Sequence, residues 1–406
     1  RPAMVRKHLA QLSISSRRRR PAWSSTFAAP VAPPKGRCAL ALGACQLEGN
    51  AYAEDAYSFD VFRRGWNKIS LLSVYDGHGG WQVARFLQAE LTPMLRQKLQ
   101  ELSESSPKSL VLNENHVKDA LRQTYTELDQ LLCKRLQPSL NLGFTRFACI
   151  GACSLTVAVL DSQYVVANAG DSTALLYSGG KAVAMSRTHN VDIVEERERV
   201  RREHPLEDDV VQCQVTYEDQ ETQLCYKKPG PNRVRKEMAC YIKGVLGPSR
   251  AFGDFALKHE DMNPLQSKGK SLVSNAHSMP YITAEPEILV FPRRNDDLLL
   301  VLCSDGVTEF LSNEEIVGIA DAAGTPAAAA KAITSEVCVR AAKEAKLSMK
   351  QYRRLHRTER RQVHDDATAL VFYLSHPQQW LQQWTKLSDS LQNLCDKVSG
   401  KFDDLG

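Results

Sequence analysis

Residues 152–177 read ACSLTVAVL-DSQ-YVVANA-GDST-ALLY: three apolar runs joined by two short polar links. Each run, Ala152–Leu160, Tyr164–Ala169 and Ala174–Tyr177, has strand length and carries the apolar residues that suit a pleated, buried surface. A parallel crossover needs a dozen or more residues. Asp161–Gln163 and Gly170–Thr173 are far shorter, so the spacing predicts antiparallel strands. That argues against a doubly wound parallel sheet and for an α+β domain built of layered antiparallel sheets.

The neighbouring segments extend this reading. Ile69–Tyr75 is an apolar run of strand type that ends in Asp-Gly-His-Gly-Gly (76–80). Trp81–Gln100 places Ala84, Leu87, Leu91, Met94, Leu95 and Leu99 at helical spacing, and Val117, Leu121, Leu128, Leu132 and Leu136 mark a second long helix. Val191–Glu203 reads as a charged helix, and residues 204–245 as a hairpin-rich surface insertion. Leu298–Cys303 and Ala367–Leu374 are further strands. Ser312–Glu315 is a capping box, and Thr325–Pro326 an N-cap followed by proline at the first helical position. From Pro377 onward, Trp380, Leu381, Trp384, Leu387, Leu391 and Leu394 form one amphipathic stripe.

Composition bounds the function. The chain has 406 residues, 43% apolar and 24% charged, which is globular and ample for one large core or two domains. Its net charge of +5 is uneven, because residues 1–37 carry nine basic residues and no acid. The remainder is net negative, so the body offers no general attraction for nucleic acid. The arm reads first as solvated and disordered. Its SSRRRRPAW cluster also suits nuclear import, and its Arg- and Ser-rich, acid-free composition an organelle transit peptide. The expected location is cytoplasmic or nuclear. Eleven dispersed cysteines without a C-x-x-C pair predict reduced, mostly buried thiols. Phe147–Leu160 is too short to span a bilayer.

The chemically suggestive pattern is a set of acids, each beside an apolar strand: Glu54–Asp55, Asp76, Asp171, Asp305 and Asp365–Asp366. Gathered at sheet ends, such carboxylates would repel one another, and a divalent cation relieves that repulsion. An all-oxygen donor set without clustered Cys or His suits Mg²⁺ or Mn²⁺ rather than zinc. One acid beside a glycine is an ordinary turn signal; five separate sites beside strands are much harder to ascribe to chance.

VYDGHGG, NAGDS (168–172), SRAFGD (249–254), EPEI (285–288), LCSDGVTE (302–309) and HDDATAL (364–370) occur in the order and near the spacing of the metal-dependent Ser/Thr protein phosphatases of type 2C. The resemblance covers about residues 38–375. It implies a four-layer αββα sandwich of two antiparallel sheets flanked by helices. It also implies hydrolysis of phosphoserine and phosphothreonine in proteins by a metal-activated water at a binuclear Mg²⁺/Mn²⁺ centre. Carried over residue by residue, Asp76 resembles the ligand bridging both metals and Gly77 the backbone-carbonyl ligand. Asp305 and Asp365 resemble ligands of the first metal, Glu54 the acid of the second, and Asp55 its neighbour. His78 resembles the general acid for the leaving oxygen. Asp171 and Glu309 fall where some members hold a third ion, with Glu309 in place of the usual Asp.

The departures are specific. The family's phosphate-clamping Arg is Asn50 here, which removes a bidentate charged contact unless Arg63 or Arg64 supplies it. The usual G-S-T is Gly151-Ala152-Cys153, and the D-H pair is Thr188-His189. The resulting organisation is a basic arm (1–37), a phosphatase domain (38–375) with a flap-like insertion (204–245) and a basic insertion (343–362), and a C-terminal amphipathic helix (376–406). The expected partners are phosphorylated proteins, with no membrane or nucleic acid, and the expected state is a monomer. The alternative is a phosphatase-like domain of low activity that serves as a protein-binding or regulatory module.

Overall fold

The computed structural model describes residues 41–64, 67–101, 114–219, 225–226, 233–263 and 272–374. The first strands are β1 (Ala41–Leu47), β2 (Ala56–Arg64) and β3 (Asn67–His78), followed by helices α1 (Gln82–Glu101) and α2 (Glu114–Asn141). Then come β4 (Gly151–Val159), β5 (Gln163–Ala169), β6 (Thr173–Ser178), β7 (Lys181–Ala184) and α3 (Val194–Glu203). The insertion carries β8 (Val211–Asp219), β9 (Cys225–Tyr226) and β10 (Arg233–Ile242). The chain continues through β11 (Phe252–Gly253), β12 (Glu287–Pro292), β13 (Asp297–Cys303), α4 (Asp305–Thr308), α5 (Asn313–Ala322) and α6 (Pro326–Glu344). It closes with α7 (Met349–Tyr352), α8 (Arg357–Arg360) and β14 (Ala367–Tyr373).

Two antiparallel sheets form the centre. One has the order β1-β14-β13-β6-β7; the other has the order β12-β5-β4-β3-β2, with β11 paired to β4. Their facing surfaces are closed by Leu72, Val74, Leu155 and Val157 from one sheet and Leu300, Leu302, Leu370 and Phe372 from the other. The outer face of the β3 sheet packs on α1 and α2 through Ile69, Leu71, Leu87, Leu91 and Leu121. The outer face of the β13 sheet packs on α5 and α6 through Val301, Val371, Ile316, Ile333 and Val337. The result is the four-layer αββα sandwich. Burial on both faces explains why β3 reads as a continuous apolar run rather than an alternating one. Fully burying a Leu such as Leu87 or Leu95 stabilises the fold by roughly 1.5–3 kcal/mol.

The helix signals hold in detail. Ser312 Oγ accepts the Glu315 backbone N–H at 3.3 Å, and Glu315 Oε2 accepts that of Ser312 at 2.9 Å. Thr325 Oγ1 accepts the Ala328 N–H at 3.2 Å ahead of Pro326.

Three expectations need correction. First, the strand read at Ile69–Tyr75 does not stop before Asp76. β3 runs on through Asp76, Gly77 and His78, which pair with Cys153, Ala152 and Gly151. The chain turns only at Gly79 and Gly80, both at positive φ. Second, β5 and β6 are not neighbours: β5 pairs with β4 and β12, and β6 with β13 and β7. Their short link passes from one sheet to the other, which loop length alone does not distinguish from a hairpin. Third, Cys213 and Cys240, directly opposite on β8 and β10, form a disulfide. Cys45, Cys153, Cys303 and Cys338 are free and buried, and Cys133 and Cys149 are free and partly buried. The basic arm and the C-terminal amphipathic stripe lie outside the described residues.

Candidate active site

The acids come from elements far apart in sequence that end at the same edge of the sandwich. Asp76 stands in the last turn of pairing of β3, Asp171 follows β5, and Asp305 follows β13 and opens α4. One carboxylate oxygen from each lies within 4.8 Å of the other two. Asp76 Oδ2 also accepts the backbone N–H of Asp305 at 3.2 Å.

The electrostatics reflect that crowding. Loss of hydration, then the charges of Asp305, Asp55, Asp171 and Asp365, push the Asp76 carboxyl well above the usual carboxylate range. Asp305 is pushed the same way by desolvation and by Asp171, Asp365 and Glu309. Burial and the charges of Asp366 and Asp365 raise Glu54 to about 7, and burial with Asp365 raises Glu309 to about 7. Asp305 Oδ1 is buried without a hydrogen-bond partner. Close carboxylates held against their own repulsion, with an orphaned buried oxygen and an all-oxygen donor set, fit a hard divalent cation.

Asp76, Asp305 and Glu309 line a cleft of about 460 Å³. Asp76, Gly77, His78, Asp171, Asp305 and Asp365 form its floor and one wall. The insertion adds Cys240 and Tyr241 to its lining. Asp192 Oδ1 accepts the Cys240 backbone N–H at 2.5 Å, which ties the insertion to the entry of α3.

His78 faces this cleft. Its Nε2 lies 2.7 Å from Asp254 Oδ2, with the histidine side chain 25% exposed and the aspartate 6%. Burial alone would lower the imidazole pKa; the charge and hydrogen bond of Asp254, with Asp171 and Glu54 beyond, outweigh it and raise the value. The pairing with Asp254 therefore favours the protonated ring. Gly151, opposite His78 on β4, leaves the room for this pair. A Cβ there would sit 1.9 Å from Asp254 Oδ2 and 2.5 Å from His78 Nε2.

Not every expected residue opens on the cleft. Asp55 is 1% exposed, and its Oδ2 accepts Ser304 Oγ and Thr368 Oγ1, both at 2.7 Å. It stands behind the floor, close enough to raise Asp76. Glu54 is placed by its own backbone: its N–H donates to Asp366 Oδ2 at 2.6 Å, and its carbonyl lies 2.3 Å from where a Gly77 Cβ would be. Asn50 is not among the residues that line the cleft. Its side-chain amide donates to Asp366 Oδ2 at 3.1 Å and to Asp365 Oδ1 at 3.5 Å. Asp171 has both oxygens engaged, by Cys153 Sγ at 3.1 Å and Asn190 Nδ2 at 2.9 Å.

Three residues with clear roles were not assigned from sequence. Asp366 gathers the backbone N–H groups of Gly49, Asn50 and Glu54 and so sutures the Glu54 loop to β14. The doubled acid at Asp365–Asp366 was its signal. Asp254 sits inside the quoted SRAFGD motif, in the left-handed region at φ +48°. Arg361 belongs to the basic run before HDD and pairs with Asp365 on the cleft wall.

A family model described as "Protein phosphatase 2C" matches residues 48–346. The chain belongs to the protein phosphatase 2C family. Relatives include "Probable protein phosphatase 2C 48" of Arabidopsis thaliana, 28% identical over 313 residues, 76% of this chain and 72% of the relative. "Probable protein phosphatase 2C 61" of Oryza sativa subsp. japonica is 29% identical over 314 residues, 75% and 74% of the two chains. Among solved structures, the serine-threonine phosphatase 2C from Toxoplasma gondii superposes with a TM-score of 0.54 at 17% identity. That match covers 82% of this chain and 95% of the other, and shows that the fold is shared. The protein is a phosphatase of this family, and no helix among its described residues is long and apolar enough to cross a membrane.

Proposed function

We propose that this phosphatase removes phosphate from phosphoserine and phosphothreonine in proteins, with two divalent cations, Mg²⁺ or Mn²⁺, at the acidic cluster. The observation that carries the reading is the convergence of Asp76, Asp171 and Asp305 within 4.8 Å, on the same cleft as the His78–Asp254 pair. Asp76, Asp305, Asp365 and Glu54, with the Gly77 carbonyl, would hold the pair of ions, with Asp55 behind them. Asp171 and Glu309 would take part in a further one. The ions supply Lewis acidity and neutralise charge for direct attack of water on phosphorus. His78 donates its proton to the departing Ser or Thr oxygen, which otherwise leaves as a poorly stabilised alkoxide. Asp254 keeps the imidazole charged and aimed. The open cleft admits an extended peptide between the floor and the insertion, and the protein acts as a monomer on phosphorylated protein substrates.

The test is phosphate release from phosphoserine and phosphothreonine peptides in excess Mn²⁺, beside Asp305→Ala. A lost ligand removes several kcal/mol of stabilisation, so turnover is expected to fall by about a hundredfold or more. Wild-type protein that binds Mn²⁺ and releases no phosphate would overturn this reading in favour of a binding module.

A further inference from the structure

We infer that Arg361, from the basic run between α6 and β14, grips the substrate phosphate in place of the arginine that Asn50 replaces. The inference rests on the phosphatase reading of the cleft. The cleft is lined by one Arg and no Lys among the described residues, and that residue is Arg361. A phosphate at a floor of carboxylates and cations needs a guanidinium fork to orient it, because a neutral amide offers neither charge nor bidentate geometry. Asn50 is neutral, and its amide is already committed to Asp365 and Asp366. Arg63 and Arg64 lie at the far end of β2, next to the turn into β3, about 30 Å from Glu54 at roughly 3.3 Å per residue.

Arg361 is built into its place. His356 caps the start of α8 in a capping box with Glu359, and Arg361 is the residue that caps its end. Tyr352 Oη and His364 Nε2 are 2.5 Å apart, and the other ring nitrogen of His364 lies beside the Asp365 carbonyl. Arg360 is buried, so the chain on both sides of Arg361 is anchored. The Arg361 side chain itself is 44% exposed. Arg361 lines the cleft and one amino group pairs with Asp365; a guanidinium has five N–H donors, so that pairing leaves donors over for an anion. Asp305, Glu309 and Asp366 also act on it electrostatically. Cations at the floor would take up that negative charge and free the guanidinium for a phosphate dianion. What reads in sequence as a solvated basic helix thus delivers one arginine to the reaction centre.

The experiment uses the full chain loaded with Mn²⁺ and compares wild type with Arg361→Gln. Calorimetry with inorganic phosphate measures grip on the anion, and titration with Mn²⁺ alone measures the metal site. Steady-state kinetics on a phosphothreonine peptide separates KM from kcat. Phosphate affinity is expected to fall at least about tenfold, or about 1.4 kcal/mol, with KM rising in parallel and Mn²⁺ affinity unchanged. Arg361→Lys keeps the charge and loses the fork; it should show a smaller loss of the same kind, and it carries the test if the Gln variant does not fold. Unchanged phosphate affinity and KM in an active variant would overturn the assignment and leave the phosphatase reading intact. So would a loss of Mn²⁺ affinity large enough to account for the kinetic change. Arg361-dependent phosphate binding in a wild type that turns nothing over would sink the hydrolysis and keep the phosphate site.

Discussion

Replacing Asp254 by Asn removes the charge that faces His78 and keeps the shape. The bond is 2.7 Å long and the aspartate side chain is 6% exposed, so water takes up little of the loss. A hydrogen bond to a charged group in such a setting is worth about 1.5–3 kcal/mol. Losing it should lower the imidazole pKa, so the ring gives up its proton at lower pH. The direction is downward because burial, the largest single influence on His78, already favours the neutral ring. Asp171 and Glu54 also hold the proton on, but cations at the floor would cancel their charge and leave Asp254 as the lasting anion. The assay is kcat against pH in Mn²⁺ on a phosphoserine peptide and on p-nitrophenyl phosphate. The alkaline limb for the peptide should move to lower pH, since activity needs protonated His78. The activated ester should be nearly indifferent, because its leaving group needs no proton. Superimposable limbs, or equal losses on both substrates, would refute the assignment of Asp254 and His78 as a proton-donating pair.

Gly151→Ala should reproduce that phenotype without touching either partner, because its Cβ would meet Asp254 Oδ2 at 1.9 Å; an unshifted pH profile would show that the pair tolerates displacement. Asn50→Ala should lower stability by about 1–1.5 kcal/mol in urea unfolding, since Asp366 loses a donor but keeps three backbone N–H groups. Metal-free protein should be most stable in mild acid and lose stability as pH rises through 7. Glu54 and Glu309 have folded values of about 7 against an ordinary 4.5, so they bind protons more tightly in the folded state. Their contribution is complete below about 4.5 and gone above 7. Saturating Mn²⁺ should flatten this fall, and a thermal midpoint independent of pH without metal would contradict it.

Much of the fold was legible because local signals agreed with global ones. Short links excluded parallel crossovers, the Ser312 box and Thr325-Pro326 marked helix starts, and doubly buried strands announced themselves as unbroken apolar runs. The acids were visible as types at strand ends, and their order carried the family resemblance. The sequence by itself therefore determined most of the elements, their antiparallel character and which acids stand at strand ends. Tertiary structure alone decided which of those groups meet. Asp76, Asp171 and Asp305 come from three strands in two sheets, and only the stacking of those sheets sets their separation. The same packing carried β3 through its glycines, placed β5 and β6 in different sheets, and turned Asn50 onto Asp366. It also drew Arg361 out of a basic run into the cleft. The physical reason is that spacing along a chain encodes periodicity and reach, whereas the approach of distant side chains depends on how whole layers bury their faces against one another.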